Sequence, residues 1–416
     1  MAVTRGRKNR PRATPFISLK ESKMFFRRKL LIFILVAAAF LAGYLASVMA
    51  PRVSSQKPVE TKFAFGAGKK VSGAPQEAAG PSREQAPAAA AQKKVDRPPF
   101  PQFQKGMTYV TWDRSAYGKG FSDMSLEKLA SIGCGYVAII TTWYQGDYNI
   151  TQIKRGGSTP TDESLIHAIE SAHKAGLKVM LKPHLDLVKG GCWRGEIQFG
   201  NDTDWETWFA SYGDFITHYA KLAEDNGVEI FCIGVELTVP AVERPDMWVT
   251  KVIEPVRKVF SGPITYAANW NEEYQNVEFW DKLDYAGLDA YFPLSDKEDP
   301  SLDDLRQGWK PHMEAIETWQ KSINKPVLLT EVGYKSSTGT ARTPWEHQLG
   351  REVDLKLQSD CYTAMLEAFW DKPWFYGMYW WYWGTNDRMG GSTDRGFNVQ
   401  NKPAQAVVRD WYAKGR

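Results

Sequence analysis

Pro326-Val-Leu-Leu-Thr-Glu-Val-Gly-Tyr334 is an apolar run that stops on a carboxylate, Glu331. Bounded by Pro326 and Gly333, it reads as a buried strand, and such a strand rarely ends on an ionisable group without a use for it. A second stretch repeats the pattern. Glu229-Ile-Phe-Cys-Ile-Gly-Val-Glu-Leu237 is again strand-like and again closes on an acid, Glu236. One such acid reads equally well as the partner of a nearby Arg or Lys. Two of them point to chemistry, because a nucleophile and a proton donor at the carboxyl ends of barrel strands are what glycosidic bond cleavage requires.

Around these two runs the chain repeats one grammar from Lys105 onward: a short apolar stretch ending on polar or aromatic residues, then a helical stretch. Eight strands are predicted, at 107–111, 136–142, 178–184, 230–236, 264–270, 285–291, 327–331 and 377–383. Helices are predicted between and after them, at 125–132, 162–175, 204–226, 245–260, 274–283, 302–323, 351–370 and 403–412. Start signals such as Thr161-Asp162-Glu163 and the stop at Gly176 support the assignment. Alternating strands and helices imply a parallel sheet, and eight units match a closed (β/α)8 TIM barrel of the α/β class better than an open sheet. No Gly-x-Gly-x-x-Gly follows an early strand, which removes the main reason to expect a dinucleotide fold.

The amino-terminal quarter has a different composition. Residues 1–29 hold ten Lys or Arg against one acid, Glu21, whereas the remainder carries 42 basic against 47 acidic residues. The basic excess is thus a terminal tail, and no basic face for nucleic acid is expected. Residues 30–50 contain no charge and at ~1.5 Å per residue can cross a ~30 Å hydrocarbon layer. With Arg27-Arg28-Lys29 before them they predict a transmembrane signal-anchor, a cytoplasmic amino terminus and an extracytoplasmic catalytic domain. A cleaved signal peptide is the competing reading, disfavoured by the length of the apolar run and by Pro51 after the small residues that end it. Residues 51–104, rich in Ala, Pro, Gln, Lys and Ser, cannot bury a core and predict a disordered linker to a domain at 105–416. All 17 Trp lie beyond position 111.

Within the barrel frame, strict alternation puts Val327 and Leu329 on one face with Glu331, and Cys232 and Gly234 on one face with Glu236. A retaining mechanism needs the two carboxyls ~5–5.5 Å apart and an inverting one ~6.5–9.5 Å, a choice that spacing along the chain does not make. Indole faces at strand ends can stack on sugar rings. Trp112, Trp143, Trp193, Trp270 and Trp383 lie there, and Trp383 is expected to form the sugar floor, with Trp381 as barrel filling. Trp205, Trp208, Trp319 and Trp370 fall in helical runs and are expected to pack.

Lys182-Pro183-His184, Gly191-Cys-Trp-Arg-Gly195, Ile233-Gly-Val-Glu-Leu237, Gly287-Leu-Asp-Ala-Tyr-Phe-Pro293, Leu329-Thr-Glu-Val-Gly-Tyr334 and Lys402-Pro-Ala404 together resemble glycoside hydrolase family 113, a β-mannanase family within the clan of retaining barrel glycosidases. The resemblance covers about 105–412. It implies Glu236 as acid/base, Glu331 as nucleophile, Tyr291 hydrogen-bonded to the nucleophile, and mannan-type β-1,4-linked glycans as substrates. In the wider clan Asn precedes the acid/base and binds the sugar 2-hydroxyl, but here that position is Val235. His184 and Asn269 are the candidates to replace it, and Trp193 completes the expected binding set. A polysaccharide or oligosaccharide is the expected partner, with no cofactor.

Two other functions fit parts of the chain. His184, Asp186 and Asp113 at strand ends suit a metal-dependent hydrolase or deacetylase, but no His-x-His or His-Glu-x-x-His spacing supports a metal site. A non-catalytic glycan-binding barrel needs no pair of glutamates. An exported or cell-wall polysaccharide other than mannan stays open as the substrate.

Overall fold

The computed structural model describes residues 100–347 and 352–416. The expected basic tail, the anchor at 30–50 and nearly all of the linker lie outside these residues. Among the described residues no helix is long and apolar enough to cross a membrane. Residues 100–103, assigned from sequence to the linker, lie against the amino-terminal end of the barrel: Phe100 meets the ring of Tyr285, and Phe103 meets Trp370 and Phe375.

Nine strands follow: β1 (Gln104–Val110), β2 (Tyr136–Gln145), β3 (Ile153–Arg155), β4 (Lys178–Leu187), β5 (Ile230–Val235), β6 (Ile264–Asn269), β7 (Tyr285–Asp289), β8 (Val327–Val332) and β9 (Phe375–Gly384). They are ordered β1-β9-β8-β7-β6-β5-β4-β2, all parallel, and β1 also pairs with β2, so eight strands close into the expected barrel. The three-residue β3 is additional and runs antiparallel beside the end of β2. It is too short to show an alternation in sequence.

Helices pack around the ring. Asp162–Lys174 starts where Thr161 accepts from the backbone N–H of Ser164, and Leu302–Ile323 starts with a reciprocal Ser301–Asp304 cap. The single helix expected at 245–260 is instead three pieces: Pro245–Trp248, a π-turn at Val249–Ile253, and Glu254–Val259. Pro255 explains the wide turn, since it lacks an N–H and its ring collides with the carbonyl four residues back. The helix expected at 274–283 is only a turn at Glu273–Asn276 and a 3-10 turn at Trp280–Lys282.

Two apolar layers result. Trp205, Trp208, Trp319 and Trp370 join the larger one between barrel and helices, as expected of helical tryptophans, and Tyr136, Ala138, Met180, Cys232, Leu328 and Tyr379 fill the axis. All four cysteines are free, and Cys134 and Cys232 are buried core residues.

Toward the carboxyl end of the barrel, three strands each contain one residue more than a neighbour they pair with. Between Cys232↔Thr265 and Val235↔Ala267, β5 advances three residues and β6 two. Between Leu288↔Leu329 and Asp289↔Glu331, β8 advances two and β7 one. Between Met107↔Trp380 and Tyr109↔Trp383, β9 advances three and β1 two. Because side chains alternate with period two, each extra residue reverses which face the following residues present.

This corrects the alternation read from sequence. Val327 and Leu329 face the helices and Leu328 faces the axis, so Glu331 reaches the mouth through the bulge and not by sharing their face. Gly234 likewise points outward: a Cβ there would lie 2.8 Å from the rings of Trp248 and Tyr266. Ile230, Cys232 and Val235 are the residues of β5 that face the axis.

Candidate active site

Glu331 ends the bulge of β8 almost fully buried. Its Oε1 accepts from Lys182 Nζ at 2.6 Å and its Oε2 from the Tyr291 hydroxyl at 2.7 Å. Lys182 is on β4, two residues from axis-facing Met180 and two from His184, so strand alternation aims all three at the axis. Its Nζ also donates to the Thr330 carbonyl at 3.1 Å and stands 3.6 Å from Asp289 Oδ1. Burial works against the ammonium, but Asp289 and Glu331 outweigh it and hold Lys182 above the usual lysine value. Asp289 is pushed well above the carboxylate range by burial and then by the Glu331 charge, with Lys182 opposing.

Glu236 stands one residue beyond β5 with φ 51°, the left-handed region, which disfavours a side chain by ~1–2 kcal/mol. Its backbone N–H donates to the Ala267 carbonyl at 2.8 Å, and Asn269 Nδ2 donates to its Oε1 at 2.7 Å. Burial raises its pKa, Arg194 opposes, and the charge of Glu331 raises it further.

Arg194 comes from the 3-10 turn Arg194–Glu196 after β4. It pairs with Asp186 at 2.8 Å, and its Nη1 lies 3.2 Å from His184 Nδ1. A guanidinium only donates, so Nδ1 accepts and the His184 proton sits on Nε2. Burial, then Arg194 and Lys182, keep that imidazole neutral by lowering its pKa well below the usual value. His184 Nε2 has no hydrogen-bond partner and lies 3.7 Å from Glu331 Oε1.

Glu331, Tyr291, Glu236, Asn269, Arg194 and His184 line a cavity of about 430 Å³ together with Trp193, Trp270, Trp345, His347 and Trp381. Trp381 lies nearly parallel to the His184 ring at 6.1 Å, Trp270 stacks on Trp345 at 5.0 Å, and Trp193 stands 38% exposed at the rim. The Trp193 ring folds over Gly195, where a Cβ would come within 2.1 Å of it.

Six of the seven expected site residues, Glu236, Glu331, His184, Trp193, Asn269 and Tyr291, meet at this cavity. Trp383 does not. It is wholly buried in the outer core, where its indole N–H donates to Ser125 Oγ at 2.9 Å. The bulge in β9 reverses its face, and Trp381 takes the position assigned to it from sequence. Lys182, Arg194, Trp345 and His347 were given no role from sequence. A lysine inside an apolar strand run was the visible signal for Lys182, whereas Trp345 and His347 lie well beyond β8 and carry no local pattern. Among the described residues no group of three or more His, Cys, Asp or Glu is arranged to hold a metal ion.

The sequence signature of Glycoside Hydrolase Family 113 matches residues 107–402. The chain belongs to that family. A family 113 β-1,4-mannanase of known structure is 30% identical over 76% of this chain and 100% of its own, with a TM-score of 0.68. The family 113 β-mannanase AaManA from Alicyclobacillus acidocaldarius, solved in complex with ManMIm, is 29% identical over 76% of this chain and 98% of its own, also at 0.68. A family 5 mannosidase from Rhizomucor miehei, 12% identical over 75% of this chain and 93% of its own at 0.55, shares the fold alone. No curated relative matches the chain. Membership in family 113 makes this protein a glycoside hydrolase, with a polysaccharide or oligosaccharide as substrate.

The two tryptophans of β9 separate by mutation. Trp383→Phe is expected to lower unfolding free energy by ~1–3 kcal/mol through lost volume and a lost hydrogen bond, with kcat/KM nearly unchanged. Trp381→Ala is expected to lower kcat/KM by about tenfold or more, ~1.4 kcal/mol in the barrier. Denaturant unfolding and steady-state kinetics on the two variants check this, and the reverse pattern would return the sugar floor to Trp383.

Proposed function

We propose that this family 113 barrel cleaves β-1,4-mannosidic bonds with retention of configuration, Glu331 acting as nucleophile and Glu236 as acid/base. The observation that carries the reading is the contrast between the two glutamates. Both oxygens of Glu331 accept hydrogen bonds, one from an ammonium, which suits a group that attacks as an anion. Burial and Glu331 raise the pKa of Glu236, which suits a group that carries a proton to a leaving oxygen. Glu331 attacks the anomeric carbon while the bond to the leaving oxygen breaks and Glu236 protonates that oxygen. Glu236 then takes a proton from water as the water displaces Glu331.

Mannan as substrate rests on the family 113 neighbours, which are described as β-mannanases. The Nε2–H of His184, unpartnered and beside Glu331, is the donor available for the sugar 2-hydroxyl, whereas Asn269 is engaged with Glu236. Trp381 and the Trp270–Trp345 pair offer flat faces for pyranose rings. The expectation that residues 30–50 tether the barrel outside the cytoplasm belongs to the same proposal.

Proton NMR of products released from mannan oligomers is expected to show the β-anomer first, with glucan, chitin-type and peptidoglycan oligomers cleaved at least tenfold more slowly. Glu331→Gln is expected to lose turnover by orders of magnitude while still binding the oligomer. Initial release of the α-anomer would overturn retention. As an acid, Glu236 must be protonated, and its raised pKa keeps it so above the ordinary carboxylate range. The basic limb of kcat/KM is therefore expected above that range, with activity falling as pH rises through it, and Glu236→Ala is expected to abolish that limb. Fractionation of expressing cells is expected to place the full chain with membranes and a 100–416 fragment, which keeps all of β1 and the Phe100 and Phe103 contacts, in the soluble fraction.

A further inference from the structure

We propose that Glu273 is a positioning residue for Glu236, fixing both chain segments on which the acid and its amide partner stand. Glu273 is outside the cavity lining, almost completely buried, at the start of the turn Glu273–Asn276. Its Oε2 accepts from the backbone N–H of Asn269 at 2.7 Å and from Thr238 Oγ1 at 2.9 Å, and its Oε1 meets the Tyr266 hydroxyl at 2.5 Å. That hydroxyl accepts from the backbone N–H of Leu237 at 2.8 Å. Leu237 and Thr238 directly follow Glu236, and Asn269 donates its amide to Glu236 Oε1. A closed circuit results: from Glu236 along the chain to Leu237, across to Tyr266, to Glu273, to Asn269, and back to the Glu236 carboxyl.

The circuit answers a need of the backbone. A non-glycine residue with positive φ persists only where its surroundings over-determine it, and Glu236 is such a residue. Glu272, at φ 68°, is another, and the turn that it makes brings the Glu273 carboxyl back toward β6. The bland alternative is a carboxyl that merely satisfies nearby donors; what sets Glu273 apart is that its partners are the segments carrying both Glu236 and Asn269. Burial pushes Glu273 up to about 8 even though the hydrogen bonds from Tyr266, Asn269 and Thr238 oppose the rise, with the Glu236 charge adding to it.

This inference rests on Glu236 being the acid, so the test compares substrates that differ in their need for one. A β-1,4-linked mannooligosaccharide needs a proton on its leaving oxygen, whereas a 2,4-dinitrophenyl mannobioside releases a stable phenolate without one. The ratio kcat/KM ends at the first irreversible step and so excludes the later work of Glu236 as base. Glu273→Ala and Tyr266→Phe are each expected to lower kcat/KM on the oligosaccharide by about 10- to 100-fold, part of the ~10²–10⁴ that acid–base catalysis supplies, and on the dinitrophenyl substrate by less than about threefold. Glu273→Gln, whose carbonyl can accept from Asn269 and Thr238 while its amide donates to Tyr266, is expected to recover most of the loss.

Equal losses on both substrates, or no loss on either, would overturn the proposal. Should Glu273→Ala not fold, Tyr266→Phe decides, since its ring keeps its packing against Trp248 and Phe279. Glu236→Ala is run alongside. A split between substrates in Glu236→Ala without one in the Glu273 and Tyr266 variants overturns the positioning role alone, whereas no split in Glu236→Ala removes the acid assignment and the proposal together.

Discussion

Lys182 lies in the barrel axis with no exposed surface, its ammonium 2.6 Å from one oxygen of Glu331 and 3.6 Å from Asp289. A buried ion pair of this kind is weak evidence for stability, because removing both charges from water offsets much of their attraction. Its effect is local. The ammonium stands between two buried carboxyls and gives its short hydrogen bond to Glu331, not to Asp289. The same positive charge, with Arg194, helps keep His184 neutral, and the Arg194 contact directs its proton to Nε2 beside Glu331. The hydrogen bonding of the nucleophile candidate thus depends in part on one lysine at one register position of β4.

Register is the second constraint. A closed parallel barrel brings eight strand ends to one mouth, but it does not decide which side chain at each end faces inward. Here that choice is made by single extra residues in β5, β8 and β9, each within a few residues of a group that lines the cavity: Glu236, Glu331 and Trp381. The surroundings accommodate the residues that the bulges turn outward. Gly234 accepts its outward position because it has no Cβ to meet Trp248 and Tyr266, and Trp383, turned outward, finds Ser125 in the outer core.

The two glutamates are held in different ways. Glu331 is gripped through its carboxylate by a cation and a phenol, while Glu236 is held through its backbone and by one side-chain amide. Support through the backbone leaves the second oxygen of Glu236 without a protein donor among its described contacts, as a proton-transfer group requires. Aromatic residues from distant parts of the chain wall the space between them, including Trp345 from the long connection after β8.

Much of this was legible in the residues alone. The eight barrel strands, the helices Leu302–Ile323 and Pro403–Tyr412, the two glutamates and the Tyr291 contact follow from apolar runs, capping residues and motif resemblance. These are local signals, set by backbone sterics and side-chain period within a few residues. Tertiary structure alone decided that Leu328 and not Leu329 faces the axis, that Trp381 and not Trp383 meets the cavity, and that Trp345 and His347 reach it. A bulge is a mismatch between two paired strands far apart in the chain, and a loop's path depends on what it packs against. Neither leaves a period in the sequence, because the partner that defines it is present only after the barrel has closed.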